Sequence, residues 1–402
     1  MPADFSERVG TLRPFLAMDV LERALELEAA GAKVLHLELG EPDAPPPPAA
    51  VEACRAALAE GATHYTDSRG LRALREAIAA DKTRRTGVPI DPERVLVTSG
   101  TSPAMLLAFG LLVDPGDEVL LASPHYACYP NFVRFCGGTP VLVRCDPGDG
   151  WRVHAERVRA ARTERTRALV VASPANPTGA VQSRETLAAL ADLGLPLVSD
   201  EIYDGLVYAG AHAPASSGPA AEAASSSGAG AHAPSALETG APDVYVLDGF
   251  SKRYAMTGFR LGYLIAPPAA ARALQVMQQN LFISASEFVQ RAGLAALESG
   301  EPTLAAMRER YARQRRVLLD GLARLGLRVD APPAGAFYVL ADARRFDPDS
   351  RRLAARILEE AHVAVTPGID FGAAGEGFLR FCYANSDDAI REALARMGRV
   401  LG

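Results

Sequence analysis

The sequence predicts an α/β protein with a large domain on a mostly parallel sheet and a smaller α/β domain beside it. Three observations predict this. Short apolar strands alternate with helix-length stretches from about residue 94 to residue 266. That alternation builds a mostly parallel sheet with helices on both faces. Residues 267 to 325 read as long helices, and from Leu327 onward strands and helices mix again. At 402 residues the chain is long enough for two packed domains.

Taken in order, Arg94 to Thr98 reads as a strand and Ala104 to Val113 as a helix. Glu118 to Ala122 is a strand and Tyr129 to Cys136 a helix. Val141 to Val143 and Ala168 to Val171 are strands, Glu185 to Leu193 a helix, and Leu195 to Ser199 a strand. The apolar runs Val244 to Leu247 and Leu261 to Ala266 complete this set. Towards the C-terminus, Ala336 to Leu340, Val363 to Val365 and Phe378 to Tyr383 are strands, followed by a helix from Asp387 to Arg396. The segment Ala209 to Pro242 is nearly all Ala, Gly, Ser and Pro, and the hexapeptide at Ala209 to Pro214 recurs at Ala229 to Pro234. So few large apolar groups cannot offset the ordering entropy, so a mobile surface insertion is expected. His212 and His232 are copies within that repeat rather than a metal site.

Bulk composition excludes several function classes. A net charge of −6 argues against a nucleic-acid or anionic-membrane partner, which needs a basic face. The longest near-continuous apolar stretch, Ala104 to Val113, is too short to span a bilayer. The first residues lack the basic start and apolar run of a secretory signal. Five cysteines without a C-x-x-C pair fit reduced thiols in a cytoplasm and no metal site.

The chemistry lies in loops at strand ends, where such sheets bind ligands. Lys252 sits between two apolar runs, in Asp248-Gly-Phe-Ser-Lys-Arg-Tyr-Ala-Met-Thr-Gly-Phe-Arg260. Burial and a second cation, Arg260, disfavour its ammonium form and leave an amine able to attack a carbonyl. Thr98-Ser-Gly100-Thr101-Ser102 is a small-residue turn into a helix. It suits either an anion, through free N–H groups, or plain capping. The chain has neither G-x-x-x-x-G-K-[ST] nor G-x-G-x-x-G. Asp200 ends a strand, where a carboxylate can keep a ring nitrogen protonated or cap a turn. Asn176 offers an amide on a turn stiffened by Pro174 and Pro177. Tyr126 can lie on an aromatic ligand or serve as core. Arg380, alone in an apolar strand, is costly to bury unless its planar fork meets a carboxylate, from a ligand or from an internal Asp or Glu. Arg13, Arg69 and Arg253 are further possible anion contacts.

These segments, in this order, resemble the class I/II aminotransferases, pyridoxal-phosphate enzymes of fold type I. The likeness runs from Leu39-Gly40-Glu41-Pro42-Asp43 to the C-terminal helix. The resemblance implies a large cofactor domain at 45–285 that carries an insertion at 209–242, and a small domain from 1–44 with 286–402. It implies that Lys252 bonds covalently to pyridoxal 5'-phosphate as a Schiff base and later carries the substrate proton. It implies that Asp200 pairs with the pyridine nitrogen, and that Tyr203 and Asn176 donate to the ring's phenolic oxygen. Gly100, Thr101, Ser102, Ser251 and Arg260 then hold the phosphate, with Tyr126 stacked on the ring. Arg380 and Gly40 hold the substrate carboxylate, aided by Asn176. Tyr65 reaches the phosphate across a homodimer interface. The implied activity is ping-pong transfer between an L-amino acid and a 2-oxo acid. A pyridoxal-phosphate β-lyase of the cysteine-S-conjugate type is the alternative. Two departures stand out: Gly249 replaces a phosphate-binding serine of many relatives, and Ser102 replaces a lysine that some aspartate-specific relatives carry.

Overall fold

The computed structural model describes residues 6–208 and 232–402. Twelve short strands can be numbered along the described chain. They are β1 (Leu35–His36), β2 (Val95–Thr98), β3 (Glu118–Ser123), β4 (Thr139–Arg144), β5 (Thr166–Ala172) and β6 (Leu197–Asp200), then β7 (Val244–Gly249), β8 (Gly262–Ile265), β9 (Tyr338–Asp342), β10 (Val363–Ala364), β11 (Thr366–Pro367) and β12 (Phe378–Cys382). Seven of them form one sheet in the order β2-β8-β7-β6-β5-β3-β4. Every pairing in it is parallel except those of β8, which runs antiparallel to β2 and β7. The chain is thus α/β with a mixed, mostly parallel sheet.

Successive side chains of a strand point to opposite faces, and this sheet is apolar on both. Val95, Val97, Leu169, Val171, Val244 and Val246 pack into the core on one face. Leu96, Ala168, Val170, Val198, Tyr245 and Leu247 pack into the core on the other. Helices cover both layers. Helix Thr101–Leu112 lies over the second face, and helices Arg72–Thr86 and Glu287–Ser299 bury residues in the first.

A three-stranded sheet, β11-β12-β9, and the parallel pair β1-β10 lie over a third core containing Tyr311, Phe337, Val339, Leu379 and Phe381. Helices Glu301–Leu325, Ser350–Ala361 and Asp387–Leu401 contribute to it. Pairing of Leu35 with Val363 brings residues near the N-terminus against the C-terminal third of the chain.

Three expected boundaries shift for local reasons. Asp91 caps a turn of 3-10 helix at Pro92–Arg94, so the first strand of the large sheet begins at Val95. Ala336 has φ +56°, which no strand residue adopts, so β9 starts at Tyr338 rather than Ala336. Helix Thr101–Leu112 starts three residues early, directly at the turn.

The reading of 209–242 as a mobile surface insertion needs correction at its end. Residues 209–231, with the first hexapeptide and half of the second, lie outside the described residues. Residues 232–242 do not behave as a surface tail, because Ala233, Ser235, Ala236 and Leu237 are buried. Ser235 and Glu238 form a reciprocal capping box on a 3-10 turn at Ala236–Thr239. The Ser235 hydroxyl and the Ala236 N–H both donate to the Glu201 carboxylate. Small side chains pack here because buried carboxylates need donors, not bulk.

Candidate active site

The carboxyl ends of the large sheet open into a cavity of about 290 Å³ between the two layers of structure. Lys252, Asp200, Tyr203, Asn176, Arg380 and Gly40 line it, as do Tyr126, Thr101, Ser102, Ser251 and Arg260. Two expected site residues lie elsewhere. Gly100 sits just outside as the N-cap of helix Thr101–Leu112, and its φ of +92° requires glycine. A Cβ there would also crowd the Arg260 guanidinium. Tyr65 is 84% exposed and lies away from the cavity.

Lys252 leaves the turn after β7, and its Nζ donates to the Gly40 carbonyl at 2.6 Å. Burial pulls its pKa down to about 8; Glu41 opposes this, and Arg260 and Arg380 add to it. About a tenth of the amine is therefore neutral at pH 7, far more than for an unperturbed lysine. The Gly40 position has no room for a side chain, since a Cβ would collide with Tyr338 Oη.

Asp200 ends β6 and is buried. Its Oδ2 accepts from Tyr129 Oη at 2.6 Å and its Oδ1 from the Ile202 N–H at 3.2 Å. The side chain thus lines the cavity and also caps a turn. Burial raises its pKa to about 6, against the lowering effect of the Tyr129 and Ile202 donors. Tyr203 Oη shares a 2.8 Å hydrogen bond with Tyr338 Oη. Burial and that neighbour hold its pKa well above the ordinary phenol value.

Arg380 is buried in the middle of β12. Nη1 donates to Asn176 Oδ1 at 3.0 Å and Nη2 to Thr366 Oγ1 at 3.0 Å and to the Glu38 carbonyl. None of these partners is a carboxylate, and Nε finds no partner among the described residues. Tyr338 and Phe371 flank the guanidinium, with ring centroids 4.5 and 4.9 Å away. A buried, oriented cation without a counter-charge fits a ligand carboxylate.

At the other end of the cavity, Thr101 and Ser102 open helix Thr101–Leu112, and no side chain caps its first N–H groups. Ser251 and Arg260 face the same end. Arg260 has φ +54° and donates from Nη1 to the Thr257 carbonyl at 2.9 Å. Open amides, hydroxyls and a guanidinium make a dianion site. At the noted departure, a Cβ on Gly249 would lie 2.9 Å from Gly262 Cα and 3.0 Å from the Leu261 carbonyl. The close pairing of β7 with β8 therefore leaves little room for a serine at this position.

The family model for aminotransferase class I and II matches residues 32–397. The chain belongs to the class I and II aminotransferase family. It is 42% identical to an aspartate/prephenate aminotransferase of Thermus thermophilus, over 99% of this chain and 98% of that one. It is 38% identical to a valine–pyruvate aminotransferase of Mycobacterium tuberculosis, over 96% of each chain. A solved structure, aspartate aminotransferase from Thermus thermophilus with maleate, superposes with a TM-score of 0.89 at 40% identity, covering 98% of this chain and 99% of that one. The protein is accordingly a pyridoxal-phosphate-dependent aminotransferase that acts on amino acids and 2-oxo acids.

Several residues around this aminotransferase's site escaped the sequence reading. Tyr129 holds Asp200, Tyr338 packs over Arg380 and Tyr203, and Thr257 Oγ1 donates to Glu41. Phe15 and Met18 line the cavity from the N-terminal segment. Behind the site lies a buried ion network. Lys82 Nζ is 2.8 Å from Glu201 and 2.9 Å from Asp248, and Arg253 pairs with Asp81 at 2.7 Å. Glu201 adjoins Asp200 in sequence, and Arg253 adjoins Lys252. Of the three other arginines considered as anion contacts, Arg253 is thus committed, Arg69 pairs with Glu93, and Arg13 is exposed. Among the described residues, no helix is long and apolar enough to cross a membrane.

Proposed function

We propose that this aminotransferase works by a ping-pong exchange in which Lys252 Nζ is the proton carrier and Arg380 the carboxylate clamp. The observation that carries the reading is the shared cavity: a lysine with a pKa near 8, a buried carboxylate and an uncompensated buried arginine all face it. Pyridoxal phosphate, when bound, supplies the electron sink that allows an amino acid's Cα–H bond to break.

The chain's own residues supply the rest. Arg380, steadied by Asn176 and Thr366, fixes the substrate carboxylate and so orients Cα. Lys252 Nζ takes the Cα proton as a general base and returns it later as a general acid. A pKa near 8 suits both duties. Asp200 holds a proton on the ring nitrogen, and Tyr129 keeps the carboxylate in place. Tyr203 and the Asn176 amide would donate to the ring oxygen. Gly100, Thr101, Ser102, Ser251 and Arg260 would hold the phosphate, and Tyr126 would stack on the ring. Gly40 lies beside Arg380 in the same cavity and would contact the substrate carboxylate through its backbone.

The same reading makes the enzyme a homodimer in which Tyr65 of one protomer reaches the partner's phosphate end. Exposure of this tyrosine away from its own cavity supports that role. The five free cysteines suit a reducing cytoplasm. The test is Lys252→Ala, which should abolish turnover and the visible absorbance of the cofactor-loaded protein. Turnover retained in that variant would remove Lys252 from the mechanism.

A further inference from the structure

We infer that the donors and acceptors of this enzyme are monocarboxylic, with mainly apolar side chains, and that Phe15 and Met18 form the side-chain wall. The inference rests on the reading of Arg380 as the clamp for the α-carboxylate.

Arg380 is one of only three cationic side chains lining the cavity among the described residues; the others are Lys252 and Arg260. Each already has a duty in the reaction or at the phosphate end. A second, distal carboxylate would meet no further cation among the described residues of this chain. It would also approach a fixed anion, because Glu41 lines the cavity near Lys252 and is tied to the Thr257 hydroxyl. A carboxylate buried without a partner is strongly disfavoured, whereas an apolar side chain gains from the same burial.

The N-terminal segment gives the cavity an apolar stretch of wall. Phe15, Ala17 and Met18 line the cavity beside Leu39. Phe15 packs edge-on against Tyr126, with ring centroids 5.9 Å apart. The N–H groups of Leu16 and Ala17 donate to the two oxygens of Asp370 at 2.9 and 3.2 Å, which anchors the start of helix Leu16–Ala29. The backbone that carries this wall is therefore anchored before substrate arrives. Donor and acceptor use one pocket in turn, so the acceptor obeys the same rule.

The test is a single-turnover panel on the cofactor-loaded enzyme, following the cofactor's absorbance. Donors are alanine, leucine, methionine, phenylalanine, aspartate, glutamate, lysine and arginine; acceptors are pyruvate and 2-oxoglutarate. The rate constant over Kd should favour the best apolar donor over aspartate and glutamate by about a hundredfold or more, and pyruvate over 2-oxoglutarate likewise. The double variant Phe15→Ala/Met18→Ala should lose about tenfold or more with leucine or phenylalanine and less than about threefold with alanine, whose methyl group does not reach the wall. Preference for an acidic or basic donor, efficient use of 2-oxoglutarate, or equal losses for alanine and leucine in the double variant would overturn the inference and leave the Arg380 reading standing. No conversion of any amino acid would overturn both.

Discussion

Tyr129 Oη lies 2.6 Å from Asp200 Oδ2, and both side chains are buried. This bond favours the charged form of the carboxylate. Burial alone favours the neutral acid, and the phenol is one of two donors that favour the ion.

Tyr129→Phe should therefore raise the pKa of Asp200 above its present value of about 6. Asp200 must be ionised to keep a proton on the ring nitrogen, so the acid limb of kcat/KM should move to higher pH. A hydrogen bond to a charged group contributes about 1.5–3 kcal/mol, which corresponds to roughly one to two pH units. An unchanged acid limb would show that Tyr129 does not control this group.

Arg380→Ala removes the carboxylate clamp. Truncating one partner of a buried charge pair costs about 2–5 kcal/mol, so kcat/KM should fall roughly 30-fold to several-thousand-fold. Steady-state kinetics with the best donor measures it. An unchanged kcat/KM would mean that another group holds the substrate carboxylate.

Lys252→Met should stabilise the cofactor-free protein at pH 7. The lysine's folded pKa, about 8, lies below that of an unfolded lysine. Below pH 8 the unfolded chain binds a proton that the folded chain resists, so folding bears the full cost there. The cost fades as pH rises through the interval between the folded and unfolded values. A displacement of this size corresponds to on the order of 3 kcal/mol. Urea unfolding of both apoproteins at pH 7 and pH 10 should show a larger gain at pH 7. An equal gain at both would contradict the depressed pKa.

Lys82→Met should destabilise the protein by about 3–5 kcal/mol, because it leaves Glu201 and Asp248 buried beside an apolar group. Equilibrium unfolding of the holoenzyme reads this directly. A loss below about 1 kcal/mol would mean that the network redistributes its protons instead.

Much of this was legible in the sequence for physical reasons. The apolar runs that became β2, β3, β5, β7 and β8 are buried on both faces, so their composition alone marks them. Lys252 and Asn176 sit on loops and Asp200 closes a strand, so each stands within a short contiguous motif. Arg380 stood out because a lone cation in an apolar strand requires an anion. Tyr129 did not stand out, because it is the first residue of a short helix and nothing local ties it to residue 200. Phe15, Met18 and Tyr338 reach the cavity only through long-range packing, which periodicity does not record. The 232–242 stretch was misjudged on composition, although its Ser235-x-x-Glu238 spacing is a capping-box signal.

The central claim is that Lys252 Nζ bonds to the cofactor. The most direct measurement is borohydride reduction of the cofactor-loaded enzyme, followed by proteolysis and mass spectrometry. The account predicts a phosphopyridoxyl mass on the peptide containing Lys252 and on no other lysine peptide. A reduced protein that carries no such mass, or carries it on Lys33 or Lys82 instead, would contradict it.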